Sequence, residues 1–202
     1  MPAAELKNGV KVLYAKNRKA FRTWLEKNHD REKNVWLILH NKASATKSIS
    51  YVEAVEEALC FGWIDSKPNK RDSESRYQYF AKRKPTGVWS SINKERIEKL
   101  IKQGLMTKAG LAAIEQAKKN GSWNALDKID KVEIPEDLEN ALAKNKKASD
   151  NFKTFAPSSK KIILNWIYSA KRPETRKQRV IDTVQLAAKG IRANHYRPKQ
   201  GG

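Results

Sequence analysis

Residues 34 to 40 read NVWLILH, and this stretch decides how the N-terminal part of the chain is built. Five apolar residues in succession, Val35 to Leu39, stand between an asparagine and a histidine. A short continuous apolar run of this composition is typical of a well-buried strand. We therefore expect such a strand at about 35 to 40, with the neighbouring segments packed around it.

The segment before this run predicts a strand and a helix. Residues 10 to 15, VKVLYA, alternate apolar and polar side chains, as a short half-buried strand does. A helix is then expected to begin near Asn17 or Arg18. The apolar residues that follow recur at i, i+3 and i+4, which places them on one face of that helix: Phe21, Trp24 and Leu25.

The segment after the run predicts a second helix. Ser50 can cap a helix, and Glu53 three positions later completes a capping box. The apolar pattern that follows indicates a helix over about 51 to 60. Gly62 then stands where the backbone often needs a positive φ to leave a helix.

Two aromatic segments predict a pair of strands, at 61 to 66 and 76 to 82. The polar stretch between them, KPNKRDSES, is rich in turn-forming residues, so we expect a loop there. Alternate side chains of the second strand divide between two faces. One face carries Tyr77, Tyr79 and Ala81, and the other carries Gln78, Phe80 and Lys82.

The second half of the chain has helical apolar spacing from residue 93 onward. The polar stretch KIDKVEIPEDL, which contains Pro135, is a candidate linker. We therefore predict an α+β fold, with a small, mostly antiparallel sheet and helices in a domain over 1–130. A helical C-terminal module of three or four helices is expected to follow over 136–195.

The chain is strongly basic. Its 202 residues carry a formal net charge of +20, with 42 Lys and Arg against 22 Asp and Glu. Residues 66 to 99 contain ten basic and four acidic side chains, and residues 140 to 202 contain fifteen and three. A field of this sign attracts nucleic acid or acidic protein surfaces, although a lysine-biased soluble surface is the alternative interpretation.

Basic residues crowd the start of the last predicted helix, and we take them as candidate contacts to a polyanion. Arg172, Arg176 and Arg179 recur at i, i+4 and i+7, which gathers three guanidinium groups on one face. Guanidinium forks match phosphate and carboxylate groups. The complete candidate set is Lys171, Arg172, Arg176, Lys177 and Arg179.

A second candidate site lies at the predicted strand pair. Asp65 is the one acidic residue beside an aromatic strand, and Arg76 or Arg83 could hold it if the strands pair. Such a pair could bind a polar ligand or transfer a proton, and a structural ion pair at a strand end is the alternative. Together with aromatic walls, the candidate ligand-binding set is Trp63, Asp65, Arg76, Tyr77, Arg83 and Trp89.

Several other classes of site are not indicated. The three histidines have no Cys or His neighbour at ligand spacing, so no metal site is predicted. No glycine-rich phosphate loop and no GxSxG motif occur, and the apolar neighbours of Cys60 would raise its pKa. We expect no cofactor and assign no catalytic residue. No transmembrane segment and no secretory signal are found, which predicts a cytoplasmic protein.

Five blocks of sequence carry a family resemblance: EALCFGWIDS, RYQYFAKRKP, VWSSINKERIEKLI, GLMTKAGLAAIEQAKKNGSW and NWIYSAKRPETRKQRVIDTVQLAAKG. In this order they resemble the YdeI/OmpD-associated (bacteriocin-protection) family of bacterial proteins, over roughly residues 17 to 190. The resemblance implies a role in stress or bacteriocin resistance and an association with an outer-membrane porin. It implies no catalytic residues. The small helical module of the family corresponds to about residues 140 to 195.

The sequence therefore favours a binding module over an enzyme. Its basic segments would engage a polyanion, either nucleic acid or an acidic protein surface. A small-molecule or enzymatic pocket around the strand pair at 61 to 89 is the alternative. The first hypothesis depends on positive charge being gathered on particular surfaces, and the second depends on the strand pair bringing its aromatic and charged residues together.

Overall fold

The computed structural model describes residues 5 to 195, which fall into two compact units that divide between Ala125 and Leu126. Unit 1 combines a sheet with helices, and unit 2 is helical. The chain is therefore α+β with a mostly antiparallel sheet, which confirms the predicted fold class. The ranges 1–130 and 136–195 remain a prediction about which parts fold as domains.

Unit 1 is built on a five-stranded sheet with the order β1-β2-β3-β5-β4. β2 and β3 pair in parallel, whereas the other neighbouring strands pair antiparallel. A parallel pair needs a crossover connection, and the first helix supplies it. The strands are β1 Leu6–Lys7, β2 Val10–Tyr14, β3 Asn34–His40, β4 Trp63–Lys70 and β5 Ser75–Lys82.

The central strand β3 is buried on both faces, as its apolar run predicts. All residues from Val35 to Leu39 are buried. Successive side chains point to opposite faces, so both sides of the sheet must be covered here. On one side Trp36 packs against Tyr79 of β5, with ring centroids 4.8 Å apart. On the other side Val35 lies opposite Phe80, which is fully buried.

The first two helices of unit 1 begin where the sequence predicts them, and the third begins at Ser91, two residues before the predicted start. The side chain of Asn17 accepts a hydrogen bond from the Ala20 amide at 3.0 Å, which caps the first helix. Ser50 and Glu53 form the predicted capping box at the second helix. The helices are α1 Arg18–Asn28, α2 Tyr51–Cys60, α3 Ser91–Lys102 and α4 Lys108–Lys119.

A buried carboxylate joins α1 to α2. Glu57 is 1% exposed. It accepts hydrogen bonds from Arg18 Nε at 2.5 Å and from Arg22 Nη1 at 2.9 Å. Arg18 Nη1 also donates to the neighbouring Glu56 at 2.7 Å. Two guanidinium groups therefore surround this buried carboxylate, which leaves it paired and hydrogen-bonded.

The hairpin of β4 and β5 is longer than the sequence predicts. β4 continues to Lys70 and β5 begins at Ser75, so the prediction of a loop over all of KPNKRDSES is wrong, and only residues 71 to 74 connect the strands. After a register shift between Asp65 and Pro68, pairing with β5 resumes. β4 forms the edge of the sheet, where a proline without an N–H group is tolerated.

Two glycines let α4 approach the end of α2. Gly62 leaves α2 with a φ of 72°, the left-handed conformation predicted for it. In α4, a Cβ added to Gly110 would lie 2.2 Å from the carbonyl oxygen of Cys60. The hydroxyl of Thr107, which caps α4, donates to the same oxygen at 2.7 Å. The two helices therefore touch through backbone atoms.

Unit 2 has its own apolar core, formed by residues that include Leu138, Phe152, Ile163 and Ile167. Pro173 stands in the first turn of the last helix, as predicted, because its missing N–H has no partner to lose there. Within residues 126 to 195 the helices are α5 Asp127–Asp130, α6 Glu136–Ala143, α7 Lys146–Thr154, α8 Pro157–Tyr168 and α9 Pro173–Ala188.

Replacing Glu57 with glutamine should destabilise unit 1, because two guanidinium groups would lose their shared carboxylate. We expect the free energy of unfolding to fall by about 2–4 kcal/mol, somewhat below the full cost of breaking a buried ion pair because both arginines are partly exposed. Urea denaturation followed by circular dichroism measures this. The control is Glu56→Gln, which should cost less than about 1 kcal/mol since Glu56 is more exposed. Equal losses would contradict the role of Glu57.

Replacing Gly110 with alanine should also destabilise the protein, by about 1–3 kcal/mol, because the new methyl group overlaps the end of α2. In a helix without such a contact, alanine is more stable than glycine by about 1 kcal/mol. The sign of the change in thermal stability therefore shows whether Gly110 is in tight contact with the end of α2. A rise in melting temperature for Gly110→Ala would show that the two helices are not in tight contact.

Candidate functional site

A cavity of about 540 Å³ opens in unit 1 at the carboxyl end of β3 and the start of α2. The loop between these elements forms most of its wall, and β5 contributes one side chain, Arg76. The lining residues are Leu39, His40, Asn41, Lys42, Thr46, Lys47, Ser48, Ile49, Ser50, Tyr51 and Arg76.

The cavity is positively charged. Lys42, Lys47 and Arg76 line it, and the lining contains no aspartate or glutamate. Within residues 5 to 195, none of these three cations forms an ion pair with a carboxylate. The lining therefore carries three cationic side chains that no carboxylate of the described residues neutralises by direct contact.

A buried serine holds the loop and orients His40. Ser44 Oγ donates to Glu74 Oε2 at 2.9 Å and accepts from the Thr46 amide at 3.1 Å. His40 Nδ1 lies 3.3 Å from the same oxygen. Because the single hydroxyl proton goes to the carboxylate, His40 Nδ1 must carry the proton in this contact. Nε2 is then the ring nitrogen that remains for a ligand.

Tyr51 connects the cavity to Asp65. The hydroxyl of Tyr51 donates to Asp65 Oδ2 at 2.7 Å. Burial, together with this hydrogen bond, raises the pKa of Tyr51 to about 12, so the phenol stays neutral near pH 7. The guanidinium carbon of Arg76 lies 5.8 Å from the Tyr51 ring centroid. Asp65 thus hydrogen-bonds to a tyrosine, whereas the sequence suggested Arg76 or Arg83 as its partner.

The structure divides the six residues of the predicted ligand-binding set. Tyr51 brings Asp65 and Arg76 into one cluster. Tyr77 follows Arg76 on β5 and therefore points to the opposite face of the sheet, where its hydroxyl donates to Glu5 at 2.9 Å. Trp63 is fully buried and packs edge-on against Trp24, with ring centroids 5.9 Å apart.

Arg83 and Trp89 form a separate stacked pair. The guanidinium carbon of Arg83 lies 3.5 Å from the Trp89 ring centroid, and Trp89 is only 2% exposed. Burial lowers the pKa of Arg83 to about 10, and the charge of Asp65 offsets part of that effect. Trp89 also contacts Trp123, with centroids 5.1 Å apart. Its ring is therefore packed inside unit 1 and does not form an open stacking surface.

The five basic residues at the start of α9 also divide into two groups. Arg176 donates to both carboxylate oxygens of Asp137, at 2.7 and 2.9 Å. Arg179 donates to the Trp166 carbonyl and to Ser169 Oγ. The remaining three are exposed and, in the part of the chain that the structure describes, have no carboxylate partner: Lys171, Arg172 and Lys177.

Most of the cavity was not predicted from the sequence. Of its lining residues, only Arg76 was in a candidate set. The missed loop, NKASATKSIS at 41 to 50, follows a buried strand, and polar loops at strand ends often carry binding residues. The position of this polar loop, directly after a buried strand, could have indicated a binding site. The distance along the chain between this loop and Arg76 concealed the fact that they form one site.

The structure also describes the cysteine, the groups that could bind a metal and the length of the helices. Burial raises the pKa of the Cys60 thiol to about 11, as its apolar neighbours suggested. Among residues 5 to 195, no group of three His, Cys, Asp or Glu side chains is arranged to hold a metal ion. No helix in the same range has the length and apolarity needed to cross a bilayer.

Comparisons with protein families give two matches along the chain. Residues 13–113 match a domain of unknown function (DUF8412). Residues 131–190 match the family described as bacteriocin-protection, YdeI or OmpD-associated. Neither the curated proteins nor the solved structures gave a match. The chain therefore belongs to the family of this domain of unknown function, whose model matches half of it, and its residues 131–190 are similar to the bacteriocin-protection, YdeI or OmpD-associated family.

Proposed function

We propose that the protein binds an anionic small molecule in the cavity at the end of β3. The observation that carries this proposal is the lining itself, in which three cations face a concave site without a carboxylate. Like charges gathered in a cleft repel one another and create a field that attracts an anion. A bound anion would relieve this repulsion, so the folded protein is already arranged to favour one.

The size and chemistry of the cavity support a small organic anion. Pockets for small molecules usually have volumes of about 300–1,000 Å³, and this cavity, at about 540 Å³, falls within that range. Arg76 offers a planar fork that suits a phosphate or carboxylate group, and the lysines offer point charges. The hydroxyl protons of Ser48 and Ser50 are already donated to the Ile49 carbonyl and to Glu53 Oε2, so the cations carry the proposed recognition.

The arrangement supports binding more than catalysis. The proton of the Tyr51 hydroxyl is held by Asp65, and the high pKa of Tyr51 keeps that proton in place. His40 Nε2 is available as a hydrogen-bonding group for the ligand. We therefore assign the cavity residues to ligand recognition and assign no catalytic role.

Binding of nucleic acid at the start of α9 is a second candidate function. The observation that favours it is the group of exposed cations without a carboxylate partner among the described residues: Lys171, Arg172 and Lys177. Arg176 and Arg179 contribute less to this proposal because they already have partners within unit 2. A nucleic-acid partner fits a cytoplasmic location, and that location and the stress-related role implied by the family remain part of the proposal.

Isothermal titration with pyrophosphate and with citrate, at constant ionic strength, tests the cavity. We expect the unaltered protein to bind at least one of these probes. Arg76→Gln, or Lys42→Gln combined with Lys47→Gln, should weaken binding about 10- to 100-fold, because a hydrogen bond to a charged group contributes about 1.5–3 kcal/mol. The melting temperature of each variant checks that it is folded.

The control for the cavity is Lys67→Gln, which removes one exposed positive charge from β4 outside the lining. Its affinity for the probes should equal that of the unaltered protein. If neither probe binds, or if Lys67→Gln weakens binding as much as Arg76→Gln, the proposed function is wrong.

Fluorescence anisotropy with labelled duplex DNA over a range of salt concentrations tests the second candidate. Replacing Lys171, Arg172 and Lys177 together with glutamine should weaken binding and reduce the log–log salt slope by about 0.9 for each lost phosphate contact. A matched triple variant, Lys99→Gln, Lys102→Gln and Lys108→Gln, changes exposed lysines in unit 1 by the same total charge. Equal effects of both triple variants, or no binding at low salt, would exclude a site on α9.

A further inference from the structure

A shallow apolar groove runs between α6 and α9 in unit 2. It consists of two adjoining depressions of about 290 and 340 Å³, which share Asp137, Ala141 and Ile181. Ile181 is 38% exposed, a large fraction for an isoleucine beside the core, and Val180 next to it is buried. The groove therefore exposes apolar surface that folding of unit 2 leaves uncovered.

The groove follows the helical repeat of both walls. Along α6 its lining residues are spaced i, i+3, i+4 and i+7: Asp137, Asn140, Ala141 and Lys144. Along α9 they extend from Pro173 to Gln185. Twelve residues of helix rise about 18 Å, which is the length of three helical turns in a partner. The two helices form the walls of the groove, and Ala141 and Ile181, which both depressions share, form its apolar floor. The side chain of Ala141 is small, so it leaves space between α6 and α9.

The charges of the groove lie at its two ends. Lys144 lines the depression that includes Gln185, and Lys177 lines the one that includes Pro173. Both lysines are exposed, and neither has a carboxylate partner among residues 5 to 195. The single acidic residue of the lining, Asp137, is bound on both oxygens by Arg176, which lowers its pKa and neutralises its charge.

We propose that this groove binds an acidic amphipathic helix of another protein. Apolar side chains of that helix would cover Ala141 and Ile181, and its carboxylates would pair with Lys144 and Lys177. Helices that bind in grooves present apolar residues at i, i+3 or i+4 and i+7, and a helix of three turns would span the length of this groove. The inference concerns unit 2 alone and does not depend on the cavity in unit 1.

The composition of the groove argues against other occupants. A nucleic-acid backbone offers phosphates but no apolar face for Ile181. A second copy of this chain carries the same net charge of +20 and would be repelled. The segment after residue 195, YRPKQGG, contains Arg197 and Lys199 and no acidic residue, so it does not complement the lysines.

The test uses the full chain and three labelled synthetic peptides of three to four helical turns, measured by fluorescence anisotropy. The first peptide has leucine on one face and glutamate on the other. The second replaces every glutamate with lysine, and the third replaces every leucine with serine. We expect the first peptide to bind at least about tenfold more tightly than the other two, a difference of about 1.4 kcal/mol.

Two variants probe the two parts of the groove separately. Ala141→Leu fills the floor and should weaken binding of the leucine–glutamate peptide at least about tenfold. Lys144→Glu combined with Lys177→Glu reverses the charge at both ends and should have a similar effect. These lysines are exposed, so that variant stays informative if Ala141→Leu lowers stability. The control is Lys147→Glu on α7, an exposed lysine outside the groove, which should change binding little.

The results can overturn the proposal in two ways. If neither Ala141→Leu nor the lysine pair weakens peptide binding more than Lys147→Glu does, the groove is not the binding site. If the serine–glutamate peptide binds as well as the leucine–glutamate peptide, and duplex DNA displaces both, the surface recognises charge alone and the apolar floor has no role. Failure of either kind leaves the anion cavity of unit 1 unaffected.

Discussion

The register between β3 and β5 decides which side chains reach the cavity. The ladder runs from Asn34 opposite Ala81 to His40 opposite Ser75. This register sets Arg76 opposite Leu39, beside the point where β3 ends and the polar loop begins. Because side chains alternate along a strand, a slip of one residue would turn Arg76 to the other face of the sheet and bring Tyr77 in its place. The fully buried Phe80 of β5 opposes such a slip, since it would turn to the face that carries the partly exposed Tyr77 and Tyr79.

The positively charged side chains of this fold divide into two groups, those paired with carboxylates and those without such a partner. Arg18 and Arg22 are bound to Glu57, and Arg176 is bound to Asp137, so these guanidinium groups stabilise contacts between helices. Lys42, Lys47 and Arg76 line the cavity, and none of them has a carboxylate partner among the residues that the structure describes. The net charge of +20 is the sum of both groups and cannot distinguish them. Only the unpaired group creates a field that an external anion would experience.

The two proposed binding sites thus have separate physical bases. In unit 1 a concave site gathers like charges around the start of α2, and an anion would offset their repulsion. In unit 2 an exposed apolar floor lies between two lysines, and burial of Ile181 would add to the attraction of charge. Each belongs to one compact unit, and each unit matches a different family description.

Much of the local structure could be predicted from the sequence. The apolar run of β3, the capping box at Ser50 and the positive φ of Gly62 each depend on residues close together in the chain, so the pattern contains the whole cause. The prediction of a loop over 67 to 75 was wrong because the turn-forming residues at 67 to 70 belong to an edge strand that pairs with β5. That pairing is a tertiary effect that local preference does not contain.

The sequence by itself determined the fold class, the family resemblance of the C-terminal part and the excess of positive charge. Only the tertiary structure decided which charged groups act together. Lys42 and Arg76 join one cavity across more than thirty residues, and Asp137 neutralises Arg176 from another helix. Conversely, adjacent residues such as Arg76 and Tyr77 separate to opposite faces of a sheet. The physical reason is that electrostatic interactions depend on distance in space and on burial, and chain folding sets both.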